Sequence, residues 1–97
     1  MLTSKQRAAL RSMANGLETV LFIGKDGITE NVEQAALDAL RARELIKGRV
    51  LETSMMTARE ASDMLCARID AEPVQCIGSR FVLYKRNPLK PVIELGK

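Results

Sequence analysis

Three amphipathic helical segments alternate with short apolar segments along this chain of 97 residues, and this alternation is its most restrictive feature. Strands separated by single helices need crossover connections, so at least part of the sheet must pair in parallel. The last two apolar segments, residues 74–77 and 80–84, flank Gly78-Ser79, which is typical of a tight β-hairpin. The pattern therefore predicts an α/β fold, a compact two-layer α-β-α-β-α-β-β domain with a mixed four-stranded sheet. It leaves the strand order open.

Each predicted helix begins at a threonine. Thr3 with Gln6, and Thr57 with Glu60, have the spacing of a capping box, in which each side chain bonds the other residue's backbone amide. Thr29 is the predicted N-cap of the second helix. Apolar residues recur every three or four positions after each cap, which predicts one buried face per helix.

The predicted strands share one small core. The first strand is expected over residues 19–23 as a buried strand and the second over residues 45–51, where Gly48 indicates a bulge or a close backbone approach. Pro73 is expected to stop the third helix. A chain of this length has room for only one core, so we predict one domain over residues 1–97, with residues 87–97 as a tail.

The composition excludes several classes of function. Aromatic residues make up only 3% of the chain, which predicts an aliphatic core and argues against base-stacking platforms. Histidine is absent, so the most common general acid or base near neutral pH is missing. Cys66 and Cys76 lack C-x-x-C spacing, so we expect reduced core thiols, no metal site and no cofactor. The longest apolar run, Val20 to Ile23, is too short to span a membrane, and we expect a cytoplasmic protein.

Positive charge concentrates at the two ends of the chain. Residues 1–25 carry four basic residues against one acidic residue, and residues 78–97 carry five against one. The middle, residues 26–77, carries six basic and ten acidic residues. If folding brings both ends to one surface, the net charge of +3 conceals a local positive field that a polyanion would sense. The alternative is an ordinary solvated surface.

The segment GKDG, residues 24–27, joins the first strand to the second helix. Glycines at both ends allow a ligand backbone to approach closely, while Lys25 and the amides of the following helix supply positive charge suited to phosphate. The alternative is a simple turn, because Asp-Gly is a common turn dipeptide. The spacing matches neither a Walker A loop nor a dinucleotide fingerprint, since Thr19, Asp26 and Thr29 stand where those motifs need other residues.

The last strand carries basic residues on alternate positions. Strand alternation places Arg80, Tyr84 and Arg86 on one face, where they could meet a ligand together. The alternative is an exposed sheet edge that positive charge protects against aggregation.

Four segments resemble the small stand-alone CRM domain proteins of the YhbY family: LTSKQRAALRSMA, FIGKDGITENV, ELIKGRV and IGSRFVLYKRNP. Together they span nearly the whole chain. The resemblance implies a compact α/β fold, a mixed four-stranded sheet and an RNA-contacting G-x-x-G loop. The chain departs from the family pattern at Asp26, Asn31 and Gly48.

The resemblance implies a non-catalytic RNA-binding protein that assists assembly of the large ribosomal subunit, and we expect a monomer. Its expected partners are precursor ribosomal RNA and the large-subunit precursor particle, with no DNA and no membrane. The expected RNA contacts are the loop residues and a surrounding positive surface, namely Gly24, Lys25, Asp26, Gly27, Lys5, Arg7, Arg11, Arg80, Lys85 and Arg86. The alternative function is a protein-interaction module that docks on ribosomal proteins or assembly factors without touching RNA.

Overall fold

The computed structural model describes residues 2–87 and Ile93. Its elements follow the predicted order: α1 (Ser4–Ala14), β1 (Thr19–Ile23), α2 (Glu30–Arg43), β2 (Leu45–Val50), α3 (Ala58–Ile69), β3 (Glu72–Ile77) and β4 (Arg80–Tyr84). None of the helices in this part of the chain is long and apolar enough to cross a membrane.

The predicted helix caps are confirmed by their hydrogen bonds. The Gln6 amide donates to Thr3 Oγ1 at 3.1 Å, and the Thr3 amide donates back to Gln6 Oε1 at 3.0 Å. Thr57 and Glu60 form the same reciprocal pair at the start of α3. The Val32 amide donates to Thr29 Oγ1 at 3.2 Å. Each cap satisfies amides that the first helical turn leaves without intrahelical partners.

The four strands form one mixed sheet in the order β1-β2-β4-β3. β1 pairs in parallel with β2, whereas β4 pairs antiparallel with both β2 and β3. β4 is therefore an inner strand, and its interpretation as an exposed sheet edge is wrong. The edge strand β3 begins two residues earlier than expected and includes Pro73. Proline has no N–H group to donate to a neighbouring strand, and a strand at the edge of a sheet tolerates this loss.

Helices cover both faces of the sheet. α2 and α3 pack on one face around Leu21, Phe81 and Leu83, while α1 packs on the other around Val82 and Tyr84. The mixed sheet is confirmed, but the layers number three rather than the expected two. The physical reason is that the four consecutive β4 residues from Phe81 to Tyr84 are all buried, so both faces of this inner strand require a cover.

The Phe81 ring lies close to the backbone at Gly48, and close approach was one of the two expectations for this residue. A Cβ at this position would overlap the Cζ, Cε2 and Cε1 carbons of Phe81, whose ring packs over the β2 backbone from the neighbouring strand. The register irregularities lie elsewhere, between Thr19 and Leu21 in β1 and between Pro73 and Gln75 in β3.

Glu44 is a fully buried acid at the junction of α2 and β2, with φ at +63°. Its carboxylate accepts hydrogen bonds from the backbone amides of Asn87 and Ile93, each at 2.6 Å. The Asn87 side chain also donates to the Arg41 carbonyl at 3.3 Å. The tail predicted over residues 87–97 otherwise lies outside the described residues.

Candidate nucleic-acid interface

The GKDG segment is a tight, exposed turn between β1 and α2. The Gly27 amide donates to the Gly24 carbonyl at 3.1 Å, which closes the turn and leaves Lys25 and Asp26 exposed at its tip. Neither tip residue forms an ion pair with another described residue. The Lys25 ammonium is therefore available to an anion in solution.

The fold favours glycine at only one of the two glycine positions of the turn. Gly27 has a φ of +67°, and a Cβ there would lie 3.3 Å from Met56 Sδ, so the fold itself favours glycine. A Cβ on Gly24 would make only ordinary contacts, 3.9 Å from Leu51 Cδ1 and 4.0 Å from Thr53 Oγ1. The fold does not require glycine at Gly24, whereas a closely approaching ligand backbone would.

The start of α2 supplies less positive potential than the sequence suggested. The Val32 amide already donates a hydrogen bond to Thr29 Oγ1, and the first turn carries the acidic residues Glu30 and Glu33. Both carboxylates offset the positive end of the helix dipole. The positive charge of the turn therefore comes from Lys25 rather than from helix amides.

Arg80 lies at the same end of the sheet as the turn. It pairs with Arg49 across β4 and β2, and Arg49 pairs with Phe22 across β2 and β1. Phe22 precedes Gly24 by two positions, so this register connects Arg80 to the turn across the width of the sheet. Arg49 and Phe22 were not predicted as site residues. The alternation in LIKGRV, which puts Lys47 and Arg49 on the same face, is the signal that could have identified Arg49.

Lys85 and Arg86 lie at the opposite end of the sheet. They follow Tyr84, which pairs with Leu45 at the start of β2. Lys85 is five positions after Arg80, a distance of roughly 17 Å along a strand. Lys85 Nζ donates to the Asp70 carbonyl at 3.0 Å, at the carboxyl end of α3. The structure therefore places these two residues apart from the turn and from Arg80. Tyr84 is also unavailable to a ligand, because its side chain is buried beneath α1.

The three basic residues of α1 lie on the Arg80 side of the sheet. Lys5 and Arg11 are exposed, while Arg7 is half-buried. Arg7 lines a shallow cavity of about 250 Å³ with Arg59 and Asp63 at the β3 edge. The structure thus groups the predicted cations into those at the turn end of the sheet, those on α1 and the distant pair Lys85 and Arg86.

A second shallow cavity opens at the Arg80 end of the sheet. It measures about 380 Å³ and lies between the segment that joins β2 to α3 and the β3–β4 hairpin. Arg49 and Glu52 are the charged groups in its wall.

Cys66 on α3 and Cys76 on β3 are half-buried and pack against the core between these elements, as expected. Burial raises the pKa of the Cys66 thiol to about 11, so this group stays protonated and poorly nucleophilic near neutral pH. Within residues 2–87, no three side chains of the metal-binding types cluster as a metal site would require.

The fold and the turn define a small α/β domain with an exposed, glycine-flanked turn that carries Lys25 at its tip. The chain matches the sequence profile of the CRS1 / YhbY (CRM) domain over residues 2–85. It therefore belongs to the CRS1 / YhbY (CRM) domain family, and the resemblance seen in the sequence is confirmed.

Several similar proteins carry RNA-binding names. The chain is 38% identical to probable RNA-binding protein YqeI of Bacillus subtilis over 98% of this chain and 99% of that protein. It is 33% identical to probable RNA-binding protein PA4753 of Pseudomonas aeruginosa, covering 90% of this chain and 84% of that one. The solution structure of the protein SAV1595 from Staphylococcus aureus matches with a TM-score of 0.81 and 40% identity, covering 99% of this chain and all of the other.

Proposed function

We propose that this chain is a non-catalytic RNA-binding protein that assists assembly of the large ribosomal subunit in the cytoplasm. It binds precursor ribosomal RNA as a monomer, through phosphate contacts made by the GKDG turn and the cations at the same end of the sheet. The observation that carries this proposal is the exposed Lys25 ammonium at the tip of a turn whose Gly24 is not required by the fold. The RNA-binding names of the relatives support it.

The contacts in this proposal are mainly electrostatic. Lys25, Arg49 and Arg80 provide three positive charges around one end of the sheet. The acidic residues of the same region are Asp26, Glu30 and Glu52. Phosphate contacts fix the position of a protein on structured RNA without reading its sequence. We therefore expect binding that depends strongly on salt and weakly on base sequence.

The replacement Lys25→Ala tests the turn directly. Removing one phosphate contact should reduce the slope of log Kobs against log salt by about one for binding to a large-subunit precursor RNA transcript. The matched control is Arg43→Ala, which removes an exposed positive charge from the last turn of α2 and should leave the slope unchanged. Equal slopes for wild type and Lys25→Ala, with circular dichroism unchanged, would contradict the assignment of the turn.

A protein-interaction module is the second candidate function. Met55, in the segment before α3, is 94% exposed, which suits contact with an apolar protein surface. Excess bulk RNA discriminates between the two functions in a pull-down of ribosomal precursor particles. Loss of the particles supports direct RNA binding, whereas retention supports docking on a protein component.

A further inference from the structure

An exposed row of side chains crosses all four strands on the α1 side of the sheet. It consists of Phe22 in β1, Arg49 in β2, Arg80 in β4 and Ile77 in β3, each paired in register with the next. Three interstrand spacings make the row roughly 14 Å long. We call these four residues the cross-strand row.

The row is open because α1 covers only part of this face. Leu10 and Ala14 of α1 pack on Leu45, Val82 and Tyr84, toward the opposite end of the strands. Beyond them, Phe22 remains 52% exposed and Ile77 65% exposed. Phe22 was expected in a buried strand, whereas the other large aromatics, Phe81 and Tyr84, are buried.

Stability alone does not account for the composition of the row. Arg49 and Arg80 stand directly opposite each other in register, and like charges at such positions destabilise a sheet. Neither forms an ion pair with any residue that the structure describes. An anionic partner would relieve this repulsion, and the adjoining aromatic ring narrows the chemistry of that partner.

We infer that the cross-strand row binds an unpaired RNA nucleotide, with the base stacked on the Phe22 ring and its phosphates held by Arg49 and Arg80. Aromatic rings on open sheets stack bases of single-stranded RNA, and planar guanidinium groups both bind phosphate and stack. Bases within a duplex already stack on one another, so the row selects unpaired RNA. One exposed ring suffices for one base despite the low aromatic content of the chain.

This inference rests on the proposed RNA-binding function and extends it from phosphate contacts to base contacts. The GKDG turn holds the backbone, and Phe22 lies two residues before that turn on the same strand. A strand of RNA that contacts Lys25 can thus continue across the row. Structured RNA with an unpaired bulge or end would engage both surfaces.

The test compares a single-stranded oligoribonucleotide of about ten nucleotides with a duplex of the same sequence. Phe22→Ala should weaken binding of the single strand by about five- to 150-fold, leave the salt slope unchanged and have little effect on the duplex. Phe22→Tyr should keep the wild-type affinity, whereas Phe22→Leu should bind as weakly as Phe22→Ala. Met64→Ala, which truncates a partly exposed apolar side chain on α3, is the matched control.

A second variant keeps the test independent of the Phe22 substitutions. Arg49→Lys retains the charge but removes the planar group, so it should weaken single-strand binding without changing the salt slope. Thermal unfolding followed by circular dichroism shows whether each variant is folded.

The possible failures are distinguishable. Unchanged single-strand affinity in Phe22→Ala, while Lys25→Ala lowers the salt slope, overturns the base platform and leaves the proposed function intact. Full affinity in Phe22→Leu, or equal loss on single strand and duplex, also overturns base stacking. A wild-type chain that self-associates through the row, with RNA affinity insensitive to Phe22, makes the row a protein interface. Absence of RNA binding by the wild-type chain overturns both proposals.

Discussion

At the scale of single residues, the glycines differ in whether the fold itself requires glycine at the position. The Phe81 ring leaves no room for a side chain at Gly48, and the positive φ of Gly27 favours glycine there. Gly24 has neither constraint, because its φ is ordinary and a Cβ would have room. The sequence left a bulge and a close backbone approach both open at Gly48. It could not distinguish Gly24 from Gly27, since the difference lies in backbone conformation and in contacts with the segment before α3.

Gly24→Ala is therefore the informative substitution in the turn. We expect the variant to unfold at nearly the wild-type temperature, because the added methyl group makes only ordinary contacts. If an RNA backbone approaches Gly24 closely, affinity for precursor ribosomal RNA falls while the salt slope stays unchanged, since no charge is altered. Thermal unfolding and filter binding measure the two quantities. Full RNA affinity in the folded variant would contradict close approach at this position.

At the scale of elements, much of the architecture could be predicted from local patterns. The helix caps, the β-hairpin and the element order depend on residues close in sequence, and the structure confirms them. The sheet order, the position of α1 and the exposure of Phe22 depend on contacts between distant segments, which periodicity does not encode. The distance of Lys85 and Arg86 from the turn follows from the antiparallel pairing of β4 with β2.

Glu44 connects several of these elements. Its amide donates to the Leu40 carbonyl, its carbonyl accepts from the Lys85 amide, and its carboxylate accepts from Asn87 and Ile93. Charge-assisted bonds at 2.6 Å to a buried carboxylate are strong, and their donors would be left without a partner if the acceptor were lost. The buried acid thus ties the α2–β2 junction to residues that follow β4.

Replacing Glu44 by Gln should destabilise the protein by about 1–3 kcal/mol, because one carboxylate oxygen becomes an amide donor that faces a backbone amide. Urea unfolding measures the change. Glu52→Gln, at an exposed position before α3, is the control and should change stability by less than about 0.5 kcal/mol. Equal stabilities for the two variants would show that the Glu44 bonds do not stabilise the fold.

At the scale of the whole molecule, charge position matters more than net charge. The chain carries a net charge of only +3, and folding places its predicted cations at several separate sites. The GKDG turn, Arg80 and the unpredicted Arg49 share one end of the sheet, whereas Lys85 and Arg86 lie at the other. A polyanion held at the turn should therefore respond to Arg80 and not to Arg86.

The matched pair Arg80→Ala and Arg86→Ala provides the most direct test of this account. Both substitutions remove an exposed arginine, so they differ chiefly in which end of the sheet loses the charge. The measurement is the salt dependence of binding to a large-subunit precursor RNA transcript. Arg80→Ala should lower the slope of log Kobs against log salt by about one, and Arg86→Ala should leave it at the wild-type value. Equal losses in both variants, or a loss in Arg86→Ala alone, would contradict binding at the turn end of the sheet.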